Sequence, residues 1–346
     1  GMELKAFLRE VTLQRGLPGD ERPVAEWVAG RFSEYCDEVR VDAMHSVVGR
    51  IRGEGPRLAF VAHLDEIGLM VTNIEEDGSL RLGQVGGIDP RILPGMRLTV
   101  FGRETLPGIV GAKAPHLLSE AERGKAQKLE DLYVDLGLPA ARVKELVRVG
   151  DQMQLEHRFT ELKNERVASK TLDDRCCVAI LYRAMQMLKD LRPQADLYFI
   201  ASSQEEVGGR GAMTSAFHTE PDMAMVLDVG FAHQPGCDRE TTRNPDAPLV
   251  TVGPYLNPVL TGKLEGIAKK IKVGLQKEVA NRGTGTDTDE VSASRSGVPS
   301  VLIGVPVKNM HTAVEVLDLE ALDEAARLVA HFAAAAQASW EEELWN

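Results

Sequence analysis

A short apolar run that leads into two adjacent carboxylates constrains this chain more than any other feature. Leu197–Ala201 has the length and composition of a buried strand, and Glu205 and Glu206 follow it closely, before Gly208 interrupts the pattern. In open α/β sheets ligands bind at the carboxyl ends of the strands, so acids at this position are well placed for chemistry. The pair by itself is more typical of a solvated turn, and the rest of the chain decides between these interpretations.

The same arrangement recurs along the chain. Three more strand-length runs lead to a histidine or an aspartate: Arg57–Ala62 to His63, Met223–Leu227 to Asp228, and Val298–Val305 to His311. Asp173 and Asp174 stand directly before an amphipathic helix, where an aspartate is also a common N-cap. If these strands are parallel neighbours, two imidazoles and several carboxylates gather at one edge of a sheet.

His63 and Asp65 have a spacing that suits a metal ligand. Side chains two positions apart on an extended chain share a face, so Asp65 can hydrogen-bond one ring nitrogen of His63 while the other nitrogen faces an ion. Histidines mixed with carboxylates suit Zn²⁺ or Co²⁺ better than Mg²⁺ or Ca²⁺, which prefer oxygen ligands alone. Without a cation, such a cluster of like charges would be costly. We therefore expect two divalent ions, with one carboxylate between them.

The adjacent glutamates favour hydrolysis. Two metal ions about 3.5–4 Å apart can clamp a hydroxide and polarise a carbonyl group. Glu205 can then accept the proton of the attacking water and pass it to the leaving amine, while Glu206 binds metal, because successive side chains on an extended backbone diverge. The negative pocket would also attract a free α-ammonium group, which favours cleavage at the N-terminus of a peptide.

Helical and strand patterns alternate over most of the chain, as in an α/β fold. Met2–Val11 and Val24–Phe32 have helical spacing, Val39–Arg52 reads as strand segments, and a last helix begins after Asp318.

The segment from Ile67 to about Thr160 differs, with short alternating runs separated by turn signals such as Asp77-Gly78. We predict that residues 1–66 and 161–346 form an α/β domain, and that residues 67–160 form an inserted β-rich domain. Ser119 and Glu122 have capping-box spacing and predict one helix inside this insertion.

Composition limits the partners of the chain. Its net charge is −12, from 40 Lys and Arg against 52 Asp and Glu, which argues against nucleic acid or an anionic membrane as a partner. No apolar stretch has the length of a membrane span and no secretion signal is recognisable, so we expect a cytoplasmic protein. Cys176 and Cys177 are adjacent at the start of a helix, where a small apolar role is expected rather than a disulfide or a metal site.

Nine segments, in this order and spacing, resemble the dinuclear-metal aminopeptidases that include glutamyl aminopeptidases and the tetrahedral (TET) aminopeptidases. The segments are AHLDEIG, VGGIDP, GAKAPHLL, EDLYVDLG, LDDR, QEEVGGRGA, LDVG, GTDTDEVSASRSGVPS and MHTAVEV. The resemblance covers nearly the whole chain. It implies a three-layer α/β/α metallopeptidase domain with an inserted, small, β-barrel-like domain. It also implies homodimers built through the inserted domain, which assemble into a dodecamer.

The resemblance also assigns roles to individual residues. His63 and Asp228 would hold one metal ion, Glu206 and His311 the other, and Asp173 would bridge them. Glu205 would be the general base and Asp65 would orient His63, while Asp174 would follow Asp173 through a cis peptide bond.

Two alternatives to a metal-dependent aminopeptidase remain open at this point. Glu205 and Glu206 could serve a glycosidase of the endoglucanase type, although such a site requires neither histidines nor further aspartates, and aromatic residues make up only 5% of the chain. The chain could also be a metal-stabilised scaffold without catalysis, which a closed four-ligand site would favour.

Overall fold

The structure is a computed structural model that describes residues 1–344. An eight-stranded mixed sheet forms its centre. In chain order its helices and strands are α1 Leu4–Leu13, α2 Arg22–Phe32, β1 Glu38–Val41, β2 Val47–Ile51, β3 Arg57–His63, β4 Gly68–Ile74, β5 Leu80–Val85, β6 Arg97–Phe101, β7 Thr105–Gly111, β8 Tyr133–Asp135, α3 Ala140–Leu146, β9 Gln152–Leu155, β10 Thr160–Glu161, β11 Arg166–Ser169, α4 Leu172–Leu188, β12 Asp196–Ser202, α5 Arg210–Thr219, β13 Met223–Leu227, β14 Gly230–Phe231, β15 Leu249–Val252, α6 Pro258–Ile271, β16 Gln276–Val279, α7 Thr288–Val291, β17 Ser300–Gly304, β18 Pro306–Val307, β19 Glu315–Asp318, α8 Leu319–Ala335 and α9 Ser339–Glu343. Short 3₁₀ helices lie at Pro90–Ile92, Pro115–Leu117, Leu129–Asp131 and Glu205–Val207.

The strands of the central sheet run in the order β1-β2-β12-β3-β13-β17-β15-β16. The strands β12, β3, β13 and β17 are parallel neighbours, which meets the condition set in the sequence analysis, so their carboxyl ends meet at one edge. In this register Ser202 lies opposite His63. These strands are buried on both faces, which explains why they read as continuous apolar runs.

Helices cover both faces of the sheet and form the outer layers of a three-layer α/β/α fold. The larger core contains apolar residues of α1, α2, α4, α6 and α8, and Cys176 and Cys177 are buried in it. The opposite face packs against α5 and α7 through residues such as Ala216 and Val291. Successive strand residues pack into opposite layers: Phe60 lies in the larger core and Val61 in the core on the other face.

A closed six-stranded barrel lies between Gly68 and Leu155, with strand order β4-β5-β8-β7-β6-β9 and its own apolar core. The inserted β-barrel-like element is therefore confirmed, while the division into domains at 1–66, 67–160 and 161–346 stays a prediction. The hairpin between β4 and β5 turns at Gly78, whose φ of +90° suits glycine.

The helix predicted to begin at Ser119 is wrong. Ser119 and Glu122 exchange the hydrogen bonds of a capping box, but the chain beyond them makes only a turn. All residues from 119 to 126 are exposed, so a helix there would have no apolar face to bury. The helix of the barrel is instead α3, which buries Val143 and Leu146.

The sequence analysis missed two strands that extend the sheet, β15 and β16, and the helix α6 that connects them. The strand β15 runs antiparallel to β17, and β16 forms the edge beside β15. The predicted strand Val298–Val305 is shorter in the structure, because β17 ends at Gly304 and Pro306 begins β18, which pairs with β14 instead. Together these elements form a wall beside the edge where the parallel strands end.

Candidate active site

The predicted site residues come from five places in the chain and lie in one cluster. His63 ends β3, Glu205 and Glu206 form the 3₁₀ helix after β12, Asp228 follows β13, Asp173 lies in the first turn of α4, and His311 lies in the loop before β19. His63, Asp173 and Asp228 are buried, and Glu205 and Glu206 are nearly so.

Asp173 lies between the two imidazoles. Its Oδ1 is 3.1 Å from His63 Nε2 and its Oδ2 is 2.9 Å from His311 Nε2. Glu206 Oε1 is 3.5 Å from His311 Nε2. The peptide bond between Asp173 and Asp174 is cis, and the residues around it interrupt the helical geometry of α4. The two oxygens of one carboxylate therefore face two separate histidines.

His63 also faces the remaining acids of the cluster. Its Nε2 is 3.4 Å from Glu205 Oε2 and 3.9 Å from Asp228 Oδ1, while its Nδ1 is 3.2 Å from Asp65 Oδ1. Asp65 in addition accepts the backbone N–H groups of Glu205 and Glu206, each at 3.0 Å. Asp65 thus contacts the His63 ring and also holds the turn that carries both glutamates, a second contact that the sequence did not predict.

Two further carboxylates hold the cluster in place: Glu315, which sequence reasoning missed, and Asp174, whose contact with His63 it did not predict. Buried Glu315 accepts the backbone N–H of Asp173 at 3.2 Å and that of His311 at 3.0 Å. Asp174 Oδ2 accepts the backbone N–H of His63 at 3.1 Å. Glu315 could have been found from the sequence, because it is an acid at the start of a short strand, EVLD, that follows His311 closely.

Burial and mutual repulsion shift the titration of the cluster. Burial raises the pKa of Glu205 to about 10, with the Asp228 and Asp287 charges adding to the shift. Burial likewise raises the pKa of Asp228 well above its ordinary range. Hydrogen bonds to Asp173 and Glu206 raise the pKa of His311 to about 11. Burial opposes ionisation of Asp173, yet hydrogen bonds with His311 and His63 lower its pKa overall.

The chemistry of these donors fits divalent metal ions. Four sets have ligand atoms within 4.8 Å of one another: His63 with Asp174 and Asp228, His63 with Glu205 and Glu206, Asp173 with Glu206 and His311, and Asp174 with Cys176 and Cys177. Within residues 1–344, no Lys or Arg forms an ion pair with a carboxylate of these sets. Asp174 Oδ1 is buried without a hydrogen-bond partner among those residues. Ligand roles for individual residues stay predictions.

A cavity of about 230 Å³ opens beside the cluster. Asp173, Glu205, Glu206, Asp228 and His311 line one part of it. The other part is lined by residues of the elements that the sequence analysis missed, among them Leu249, Thr251 and Glu278. The cluster therefore faces a small pocket that can hold a ligand.

Several solved structures with this architecture are named aminopeptidases, and one from Thermotoga maritima, which superposes with a TM-score of 0.78 at 25% identity and covers 100% of both chains, is named an endoglucanase. The aminopeptidase APDkam598 from the archaeon Desulfurococcus kamchatkensis superposes with a TM-score of 0.92 at 31% identity, covering 99% of this chain and 98% of that one. PhTET1-12s, a dodecamer in the asymmetric unit, superposes with a TM-score of 0.85 at 29% identity, covering 96% of this chain and 99% of that one. The fold and the site thus define an enzyme of the peptidase class.

Sequence comparison identifies the family. The model of the M42 glutamyl aminopeptidase family matches residues 45–328. The lysyl aminopeptidase of Pyrococcus furiosus is 32% identical over 328 residues, covering 93% of this chain and 94% of the relative. The chain belongs to the M42 glutamyl aminopeptidase family, which confirms the resemblance seen in the sequence. Within residues 1–344, no helix has both the length and the apolar character that crossing a membrane requires.

Proposed function

We propose that this aminopeptidase is metal-dependent and removes the N-terminal residue of peptides with two divalent ions, Zn²⁺ or Co²⁺, and Glu205 as general base. The observation that carries this proposal is the placement of Asp173, whose two oxygens face His63 and His311 at 3.1 and 2.9 Å. A carboxylate between two imidazoles suits a ligand that bridges two ions. His63 and Asp228 would hold one ion, and Glu206 and His311 the other.

Bound there, the ions would activate a water molecule and polarise the scissile carbonyl. Glu205 lines the cavity and is not needed as a ligand in this scheme, so its carboxylate is free to accept the proton of the water. Without metal, burial raises the pKa of Glu205 to about 10, so its carboxyl group keeps its proton at neutral pH. Two bound cations would lower this pKa and leave a carboxylate that can accept the proton of the water. The same oxygen then returns the proton to the leaving amine.

Asp65 and Glu315 act as positioning residues in this scheme. Asp65 holds His63 and the backbone of Glu205 and Glu206, and Glu315 holds the backbone of Asp173 and His311. Both are almost completely buried, so neither contacts a substrate.

The cavity favours an exopeptidase. Its volume of about 230 Å³ suits one side chain better than an extended peptide segment. Its acidic lining would attract a free α-ammonium group. The related enzymes are named for glutamyl and for lysyl aminopeptidase activity, so the reaction is shared while the family does not fix the side chain that is removed.

We further propose that residues 67–160 form the assembly domain, through which homodimers build a dodecamer. The related PhTET1-12s is a dodecamer. Ile109, Leu117 and Val149 lie in this segment and are 52–68% exposed, a fraction that an interface would reduce. Light scattering should give the mass of twelve chains or of a dimer, and a monomer at micromolar concentration would contradict the proposal.

The glycosidase alternative is weaker than the aminopeptidase. The two glutamates lie among two histidines and two aspartates, a set that glycoside hydrolysis does not use. Phe231 is the one aromatic side chain among the described residues that line the cavity.

Metal reconstitution tests the proposal. The protein is stripped with chelator, reloaded with Zn²⁺, Co²⁺ or Mn²⁺, and assayed on a series of aminoacyl amides and on their N-acetylated counterparts. We expect cleavage only after reloading and only of substrates with a free amine. Equal cleavage of N-acetylated substrates, or full activity in chelator, would contradict the proposed function, and release of sugar from a soluble glucan would favour the glycosidase.

A further inference from the structure

Glu278 is a carboxylate in the cavity that does not belong to the metal cluster. It lies on the edge strand β16, where its register partner on β15 is Thr251, and both residues line the cavity. Of the acids among the described residues that line the cavity, the other four are Asp173, Glu205, Glu206 and Asp228. The pocket beside the cluster therefore carries one additional negative charge.

Two contacts fix this carboxylate and leave part of it open. Thr251 Oγ1 donates a hydrogen bond to Glu278 Oε1 at 2.8 Å, which holds the side chain towards the cavity. Gly230 lies beside the other oxygen: a Cβ at that position would be 3.5 Å from Glu278 Oε2 and 2.5 Å from Leu249 Cδ2. The close approach of Leu249 therefore requires glycine at position 230, and no side chain of this residue covers Oε2.

Glu278 has no protein cation as a partner within residues 1–344, as its neighbours show. Lys277 points to the opposite face of β16, where it pairs with Glu265 of α6 at 3.3 Å. The hydrogen bond from Thr251 is neutral and leaves the charge of Glu278 uncompensated. A half-buried carboxylate in this position is stabilised by a cation from outside the chain.

The surroundings of Glu278 suit a long side chain with a positive end. Phe231, which is 58% exposed, and the partly exposed Met310 line the same cavity and offer apolar surface, while Glu278 offers the charge. Lysine and arginine bury their methylene stems along such surface and keep the charged group at a polar end. Two divalent ions at the proposed metal site would balance the charges of Asp173, Glu205, Glu206 and Asp228, but not the charge of Glu278.

We propose that Glu278 makes this enzyme selective for peptides whose N-terminal residue is lysine or arginine. This inference rests on the proposed function, because the cavity binds the residue that is to be removed. The stem of that residue packs on Phe231 and Met310, and its cationic group donates a hydrogen bond to Glu278 Oε2.

Matched substrates isolate this contact. The metal-loaded enzyme is assayed on the p-nitroanilides of lysine, arginine, glutamate and norleucine, the last of which has the stem of lysine without its charge. We expect kcat/KM for lysine to exceed that for norleucine, and Glu278→Gln to lower this ratio by about 10- to 100-fold, as for a charge-assisted hydrogen bond. Glu278→Lys should reverse the preference towards glutamate. Glu265→Gln, which removes an acid on the outer face, should leave the ratio unchanged.

The outcomes separate the inference from the function on which it rests. Faster cleavage of norleucine than of lysine by the unaltered enzyme, or an unchanged ratio in Glu278→Gln, would overturn the role of Glu278 while the aminopeptidase stands. If no anilide is cleaved, the proposed function fails, and calorimetry then decides the inference: lysine amide must bind more tightly than norleucine amide, and Glu278→Gln must remove the difference.

Discussion

Two buried polar clusters lie side by side in this protein and share two of the chain segments that supply their residues. Residues 63–66 and 170–175 supply His63, Asp65, Asp173 and Asp174 to the candidate metal cluster. They also supply Glu66, Lys170 and Arg175 to a second cluster, here called the Glu66 cluster. Neighbouring positions in the sequence thus enter two sites with opposite electrostatics.

In the Glu66 cluster the fold itself supplies two cations to one buried carboxylate. Glu66 accepts from Lys170 Nζ at 3.0 Å, from Arg175 Nη2 at 2.7 Å and from the Gln154 amide at 3.1 Å. The remaining Arg175 donors bind the carbonyl oxygens of Val11, Gln14 and Leu64. These contacts join α1, the carboxyl end of β3, α4 and the last barrel strand, β9, so this cluster holds the framework together.

The metal cluster lacks such compensation. Its carboxylates are paired only with two histidines in the described chain, and burial raises the pKa of Asp228 and Glu205. The comparison shows that a buried acid is structural when the fold supplies its cation and is available for chemistry when the cation comes from outside. Four changes test this contrast, beginning with the largest expected effect.

Glu205→Gln should lower kcat by about 10²–10⁴-fold without loss of metal, because the amide keeps the volume but cannot accept a proton. Glu206→Gln should differ and also lose metal, since it weakens a charged ligand. Both are measured by steady-state kinetics and by metal analysis of the same preparations. Metal loss in Glu205→Gln with full retention in Glu206→Gln would reverse the two roles.

Glu66→Gln should lower the free energy of unfolding by about 3–5 kcal/mol, because Lys170 and Arg175 would keep their buried charges without a partner. Denaturant unfolding measures the change. Glu161→Gln is the matched control, since Glu161 pairs with Lys5 and Arg9 on the surface, where water and salt screen the interaction. Equal loss in the two variants would show that the Glu66 cluster is no more structural than a surface pair.

Asp228→Asn should make the metal-free protein less sensitive to alkaline pH. Burial raises the pKa of Asp228 in the folded state, so its protonated form contributes stability that is complete below the ordinary pKa near 3.8 and is lost as pH rises through the folded pKa. In chelator, the thermal midpoint of the unaltered protein should therefore fall more than that of the variant as pH rises above the ordinary pKa near 3.8. The variant should also bind metal more weakly. If the thermal midpoints of the two proteins change equally with pH, the claim that uncompensated charge dominates this cluster is contradicted.

His157 lies beside the Glu66 cluster, and its substitution should change the free energy of unfolding least of the four predictions. Burial and the nearby Lys170 charge lower the pKa of His157 from 6.5 to about 4. The folded protein then binds fewer protons than the unfolded chain, so stability is complete above pH 6.5 and is lost as pH falls through 4. His157→Gln should remove about 1 kcal/mol of this acid sensitivity, allowing for screening at a half-buried site. The measurement is urea unfolding at a series of pH values. If the variant loses as much stability at acid pH as the unaltered protein, His157 is excluded as the cause.

The sequence by itself determined the framework and the members of the candidate metal cluster. Four apolar runs predicted buried strands, and His63, Glu205, Glu206, Asp228 and His311 follow such runs, so local pattern was enough to gather them at one sheet edge. Because ligands bind at the carboxyl ends of parallel strands, this edge was also predicted to be the ligand site.

Only the tertiary structure decided what the neighbouring residues do. Glu66 and Asp65 are adjacent in sequence, yet one meets Lys170 and Arg175 while the other holds His63 and the Glu205–Glu206 turn. Glu278 lies on a short strand, QKEV, whose pattern did not predict β16, and it enters the cavity only because β16 pairs with β15. These roles depend on contacts between segments far apart in the chain, and the packing of the whole fold brings those segments together.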